Sequence, residues 1–193
     1  MSVTTKNGYD LWELISALQK DIRRGNEKQA VFWALELESI NPVTLWNRLT
    51  LIASEDIGPA NSQMSVLIDV LHRQYKSLSK SGEEGLFLIH AVLALARSRK
   101  TREVGELFVI TYPKVELGRE FGEELPPIPE YAIDMHTSKG VERGRDFEYF
   151  YSEGTKINPD AGSKYREEAL VAERSERNKA YWSRIRGRSQ VTF

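Results

Sequence analysis

Apolar residues recur at helical spacing through the first 112 residues of the sequence. The clearest run has offsets of 0, 3, 4, 7, 11 and 14 and consists of Met64, Leu67, Ile68, Leu71, Tyr75 and Leu78. Residues with this spacing line one face of an α-helix. Together with similar but less regular runs before and after it, this pattern predicts an all-α protein, a bundle of about six antiparallel helices.

Helix-capping residues separate the runs. Four residues are suited to cap a helix start, because their side chains accept hydrogen bonds from first-turn amides: Asp10, Asn26, Asn41 and Asn61. Pro42 fits the first position of a helix, and Gly25 and Gly58 are suited to end one. On the fifth predicted helix we expect one face to point inward, made of Leu86, Ile89, Leu93 and Ala96.

The pattern changes after Tyr112. Residues 113–154 contain several prolines and glycines and then closely spaced aromatic residues, which favours an ordered loop and aromatic segment that closes over the bundle. Asn158-Pro159 is suited to start a long C-terminal helix. We therefore predict a flexible N-terminus (1–8), a helical domain (9–154, with the bundle at 9–112 and the closing segment at 113–154) and a basic helical extension (155–193).

Composition excludes several classes of protein. The formal net charge is −1, so any binding of a polyanion has to come from local basic patches. The absence of cysteine excludes disulfides, a thiolate zinc site and a cysteine nucleophile. The first residues lack the apolar stretch of a signal peptide, and no segment approaches the ~18 apolar residues of a membrane span. We expect a cytoplasmic protein with no contact to the membrane.

An acidic pair, Glu55 and Asp56, lies between Ser54 and Gly58, where the third predicted helix ends. Two carboxylates can hold a metal ion or transfer a proton. Adjacent side chains on a helix point in different directions, however, and do not naturally converge on one ligand. We interpret this stretch as a structural motif in which caps and salt bridges hold a corner.

Motifs of known enzymes are absent from the sequence. It contains no His-x-x-x-His zinc signature, no P-loop and no Gly-x-Ser-x-Gly elbow. We therefore expect a protein that is not an enzyme and has no catalytic residues, cofactor or metal. The alternative is an unrecognised enzyme in which Glu55, Asp56, Asp134 or His136 acts.

Three basic clusters are candidates for binding nucleic acid or a partner. The first contains Arg97, Arg99, Lys100 and Arg102, the second Lys139, Arg143 and Arg145, and the third Arg184, Arg186 and Arg188. Cations near phosphates release counterions and give salt-dependent affinity, to which nearby aromatic residues add base stacking. The alternative is that the first cluster complements the end of a helix and the last is a solvated tail.

Three stretches carry a family resemblance: DLWELISALQKDIR at residues 10–23, Phe32-Trp33-Ala34, and RLTLIASEDIGPA at residues 48–60. With them, residues 10–112 resemble the C-terminal helical domain of the RarA/MgsA group of replication-associated AAA+ ATPases, relatives of the Werner helicase-interacting protein. Residues 129–154 are similar to the closing segment of that family. The resemblance implies an all-α domain that assembles its parent ATPase into a tetramer and contributes to work at stalled forks and single-stranded DNA.

The ATPase core of that family has no counterpart in this sequence, so no nucleotide-hydrolysing residue is carried over. We expect a stand-alone oligomerisation and interaction module in DNA replication, recombination or repair. Its expected partners are further copies of itself, in a tetramer, and DNA or a repair protein such as an AAA+ ATPase or a single-stranded-DNA-binding protein. The alternative function is direct binding of nucleic acid through the basic clusters.

Overall fold

The protein is all-α. The computed structural model describes residues 4–78 and 82–188, with residues 173, 182 and 185–188 described by their backbone only. These residues form ten α-helices and no strand, which confirms the predicted fold class. The chain divides into two compact units, Met1–Leu125 and Pro126–Phe193, and each is described by itself.

The first unit holds six α-helices and the corner that interrupts them. The helices are α1 (Leu11–Arg24), α2 (Glu27–Glu38), α3 (Pro42–Ile52), α4 (Met64–Ser77), α5 (Glu84–Arg97) and α6 (Glu103–Leu117). Between α3 and α4 the chain forms a π turn (Ala53–Ile57) and then a 3-10 turn (Gly58–Asn61). Helix α1 packs against α2, and α4 packs against α5.

Two of the four predicted caps are confirmed. Asp10 accepts hydrogen bonds from the amides of Trp12 and Glu13, and Asn41 accepts one from Thr44. Asn26 occupies the cap position of α2 without a capping bond, because its amide donates to Asp21 instead. Asn61 does not cap α4. It lies in the 3-10 turn, which delays the start of α4 to Met64, and its amide donates to Ser98.

The core of the first unit is built from α1 to α5 and the corner. Its largest fully buried side chain is that of Trp46, surrounded by leucines and isoleucines such as Leu18, Leu49, Ile68 and Leu88. Burying each such aliphatic side chain contributes roughly 1.5–3 kcal/mol to folding. The core is therefore complete without any buried residue from α6.

Two predictions about the later helices of this unit are wrong. The inward face of α5 consists of Leu88, Ala91, Val92, Leu95 and Ala96, so of the four residues expected there only Ala96 is buried. Helix α6 does not end at Tyr112 but continues through Pro113 to Leu117. Proline inside a helix removes one backbone hydrogen bond and crowds the carbonyl four residues earlier, so Pro113 is unfavourable at this position, yet the helix continues through it.

The second unit consists of short elements. It contains a 3-10 turn (Glu130–Ala132), α7 (Ser138–Glu142), and α8 (Phe147–Tyr149), which continues into a π turn (Phe150–Gly154). The predicted long C-terminal helix is wrong in its bounds, since two helices occur instead, α9 (Arg166–Glu173) and α10 (Glu176–Arg188). The helical conformation is interrupted between them at Ser175. Its hydroxyl donates a hydrogen bond to the Ala172 carbonyl and accepts one from the amide of Asn178.

Candidate functional site

The corner after α3 encloses a buried carboxylate. Asp56 lies in the π turn and is only 1% exposed. Its carboxylate accepts hydrogen bonds from Gln19 Nε2 at 2.8 Å, Arg23 Nε at 2.6 Å and Arg102 Nη1 at 3.3 Å. Two guanidinium groups therefore offset the buried negative charge, as a buried ion requires.

Glu55 belongs to the same network. Its carboxylate accepts hydrogen bonds from Gln19 Nε2 and Arg23 Nη2, both at 3.0 Å, and lies 3.4 Å from Arg102 Nη2. The expectation that the two acids would not converge is wrong, because arginines from α1 and from the α5–α6 connection reach both of them. Both acids are thus engaged in ion pairs inside the protein.

Gly58 determines how closely the next helix approaches the corner. Its φ of 43° and ψ of −125° are backbone angles that side chains disfavour. A Cβ built at this position would lie 2.9 Å from Cγ2 of Val104, in the first turn of α6. Only glycine therefore allows this turn and this approach together. Ser54, the remaining residue of the predicted motif, is exposed.

Asp134 and His136, named in the enzyme alternative, form a local turn in the second unit. The Asp134 carboxylate accepts the backbone amide of His136 at 2.9 Å and lies 3.2 Å from its ring nitrogen. The hydrogen bond from the amide, followed by the contact with the ring, holds the pKa of Asp134 below its usual range. Within the described residues no group of three or more metal-ligating side chains occurs.

Most of the first basic cluster forms contacts within the protein. Arg97 donates two hydrogen bonds to Glu27, at 2.8 and 2.9 Å, and these lower the pKa of that carboxyl. Lys100 donates to the carbonyls of Ala96 and Ser98 at the end of α5, and burial lowers its pKa. Arg102 pairs with the corner acids. Arg99 is exposed and has no ion pair among the described residues.

The second cluster is arranged around Glu130. The Glu130 carboxylate accepts hydrogen bonds from Arg143, at 2.7 Å, and from Arg145. Both arginines lower the pKa of that carboxyl. The guanidinium of Arg145 also stacks 4.2 Å above the ring of Tyr149. Lys139 is exposed on α7, without an ion pair in the part of the chain that the structure describes.

The third cluster lies on α10. Arg184 is exposed there, whereas the side chains of Arg186 and Arg188 lie outside the described part of the structure. Binding of nucleic acid by the three clusters stays a prediction. The side chains best placed to act in it are Arg99, Lys139 and Arg184, because the other described cations already have partners within the protein.

Helix α6 presents a surface that sequence reasoning missed. None of its residues is buried, although more than half of them are large and apolar. The exposed apolar residues are Val104, Leu107, Phe108, Val109, Ile110, Tyr112, Val115 and Leu117. A helix with apolar residues around most of its circumference is normally covered by other protein. The signal was present in the sequence, because the apolar residues of this helix are not confined to one face.

The start of α6 contacts the corner. Val104 meets Gly58, and Gly105 lies beside the side chains of Arg102 and Glu55. Next to this contact is an apolar groove of about 440 Å³ lined by Pro59, Glu103, Val104, Glu106, Leu107 and Ile110. Despite the apolar character of α6, no helix in the described ranges has the length and apolarity needed to span a membrane.

Comparison with known proteins relates the chain to one family and to a named relative. Residues 25–190 match the family described as MgsA AAA+ ATPase C terminal. The chain is also 25% identical over 172 residues to a protein of Coxiella burnetii (strain RSA 493 / Nine Mile phase I) named Replication-associated recombination protein A. The aligned region covers 88% of this chain and 38% of that protein. The chain therefore spans well under half the length of this relative.

These matches agree with the resemblance carried by the N-terminal helices and the corner. The matched region begins just after α1 and extends to residue 190, so it includes most of both compact units. On this evidence, the chain belongs to the MgsA AAA+ ATPase C-terminal family.

Proposed function

We propose that this chain is a non-enzymatic module that associates with further copies of itself and acts in DNA replication, recombination or repair. The observation that carries the proposal is the exposure of α6. Its apolar side chains include Leu107, 62% exposed, and Ile110, 68% exposed. Contiguous apolar surface of this kind marks a protein–protein contact.

The family and the relative support the part of the proposal that concerns DNA replication, recombination or repair. The Coxiella protein is named for replication-associated recombination, and this chain aligns with less than half of it. The absence of P-loop, zinc and serine-nucleophile motifs in the sequence supports a binding role over catalysis. The ion pairs of Glu55 and Asp56 support the same view, because both acids are held in contacts within the protein.

Light scattering coupled to gel filtration tests self-association. At tens of micromolar we expect a mass of two or more times the 22.1 kDa of one chain. The double substitution L107E/I110E places two charges on the exposed face of α6 and is expected to reduce the mass to that of a monomer, because burying an unpaired carboxylate is costly.

The matched control is V66E. Val66 is 65% exposed on α4, so this variant adds one carboxylate, half the charge of L107E/I110E, to an exposed apolar position elsewhere in the same unit. Its mass should equal that of the unmodified chain. A strict monomer for the unmodified chain at these concentrations would overturn the proposal, as would an L107E/I110E variant that stays fully assembled.

A further inference from the structure

One stripe of α6 has the spacing of a helix–helix seam. Glu103, Leu107, Ile110, Lys114 and Leu117 follow one another at intervals of 4, 3, 4 and 3 residues. This alternation brings side chains onto the line along which two helices pack in a coiled coil, and three of these five residues are apolar whereas Glu103 and Lys114 are charged. The apolar groove opens on the N-terminal half of the same stripe, beside Leu107 and Ile110.

Charge is distributed unequally along this helix. Its first turn carries Glu103 and Glu106, whereas Lys114 and Arg119 lie in or just after its last turn. Among the described residues Glu106 has no ion pair, and the contact of Lys114 with Glu123 is long, at 4.0 Å. Both side chains are therefore available to a partner with complementary charges.

A second copy of α6 running in the opposite direction supplies those charges. Glu106 and Lys114 each lie four positions from Ile110, since 110 − 106 and 114 − 110 both equal four. If Ile110 of one copy faces Ile110 of the other, Glu106 of each lies level with Lys114 of the other. A parallel pair would instead place like charges side by side and align the helix dipoles unfavourably.

The antiparallel pair also fills the groove. The groove is lined by residues up to Ile110, so it faces the part of the second copy that follows Ile110, which contains Pro113 and Leu117. Leu117 is 44% exposed and belongs to the stripe. A two-fold axis repeats this contact on both sides, as self-complementary interfaces require.

We propose that two copies of this chain pair through α6 in antiparallel orientation, about a two-fold axis at Ile110, with Glu106 of each copy against Lys114 of the other. The pairing rests on the self-association proposed above and specifies its surface and orientation. A tetramer with dihedral symmetry contains two-fold interfaces of this kind.

Charge exchange tests the orientation. E106K and K114E each replace two attractive pairs by two repulsive ones, and each is expected to weaken association roughly tenfold at low salt. The double variant E106K/K114E restores both pairs and should associate within about threefold of the unmodified chain. An equimolar mixture of the two single variants should likewise restore association, because each then meets its complement. Circular dichroism confirms that every variant is folded.

The matched control for charge is E116K. Glu116 is exposed on the same helix but lies off the stripe, so its reversal should leave association unchanged. If neither the double variant nor the mixture restores association, or if the single variants assemble normally, the antiparallel pairing is wrong while self-association through another surface stands. If the unmodified chain is a monomer, both proposals fail.

The absence of native cysteine allows an independent test by oxidation. In I110C the two thiols meet on the axis, so mild oxidation should convert the protein to a disulfide-linked dimer. V109C is the control, because Val109 is on the same helix, 70% exposed compared with 68% for Ile110, and off the stripe. Equal or slower cross-linking of I110C relative to V109C would contradict the pairing.

Discussion

At the scale of single residues, the buried carboxylate of Asp56 joins two distant parts of the first unit. Arg23 comes from α1, and Arg102 comes from the connection between α5 and α6, yet both reach the same oxygen. A buried charge of this kind contributes little net stability when it is paired, but its loss strands the groups that surround it. Removing one member of this network should therefore lower the stability of the protein more than replacing all of its members by apolar residues.

Replacing Asp56 by alanine removes the acceptor of Arg23 Nε and one of the two acceptors of Gln19 Nε2, in a mostly buried position. We expect a loss of about 2–3 kcal/mol in the free energy of unfolding, below the range for a fully buried pair because both arginines are partly solvated. Urea unfolding followed by circular dichroism measures this. The control is D69A, which removes an exposed pair with Arg73 within α4 and should cost less than about 0.5 kcal/mol. Equal effects of the two substitutions would contradict the role given to Asp56.

At the scale of helices, the sequence predicts α4 better than its neighbours. The regular apolar period of α4 predicts the helix and its buried Met64, Ile68 and Leu71, although the cap predicted at Asn61 is wrong. In α5 nearly every position is apolar, so the period does not indicate which face turns inward. In α6 the apolar residues likewise do not mark a single face, so their pattern does not show that the helix has no buried residue.

Gly58 determines how α6 leaves the corner. Gly58→Ala introduces a Cβ at a φ of 43° and 2.9 Å from Val104 Cγ2, and we expect it to lower the free energy of unfolding by about 1–3 kcal/mol. In Gly85→Ala the same substitution lies in the first turn of α5 with open space around it, and should be neutral or stabilising by up to ~0.5 kcal/mol. Urea unfolding of both variants checks the difference. A neutral Gly58→Ala would show that this backbone geometry is not required.

At the scale of the whole molecule, the buried apolar side chains are concentrated in one part of the chain. The core cluster lies between Ile15 and Leu95, inside Met1–Leu125. Among the described residues of the second unit, Ile133 is the only buried apolar side chain. The two units therefore differ in their capacity to fold from their own residues.

A fragment of residues 1–125 contains the complete core cluster. We expect it to show a helical circular dichroism spectrum and a cooperative thermal transition. A fragment of residues 126–193 buries too little apolar surface to offset its chain entropy and should show no cooperative transition on its own. A fragment 1–125 that fails to unfold cooperatively would show that its core depends on the rest of the chain.

The sequence by itself determined the all-α class, the family, the caps at Asp10 and Asn41 and the corner at Gly58. These features depend on interactions within a few residues, or on local patterns that a family shares. Tertiary structure alone decided the rest. The pair of Arg97 with Glu27 joins residues 70 positions apart, and that of Arg102 with Asp56 joins residues 46 apart. Contacts between residues so far apart in the sequence depend on how the helices pack. Packing also decided that cations expected at a binding surface form contacts within the fold, and that the other helices of the first unit leave α6 uncovered.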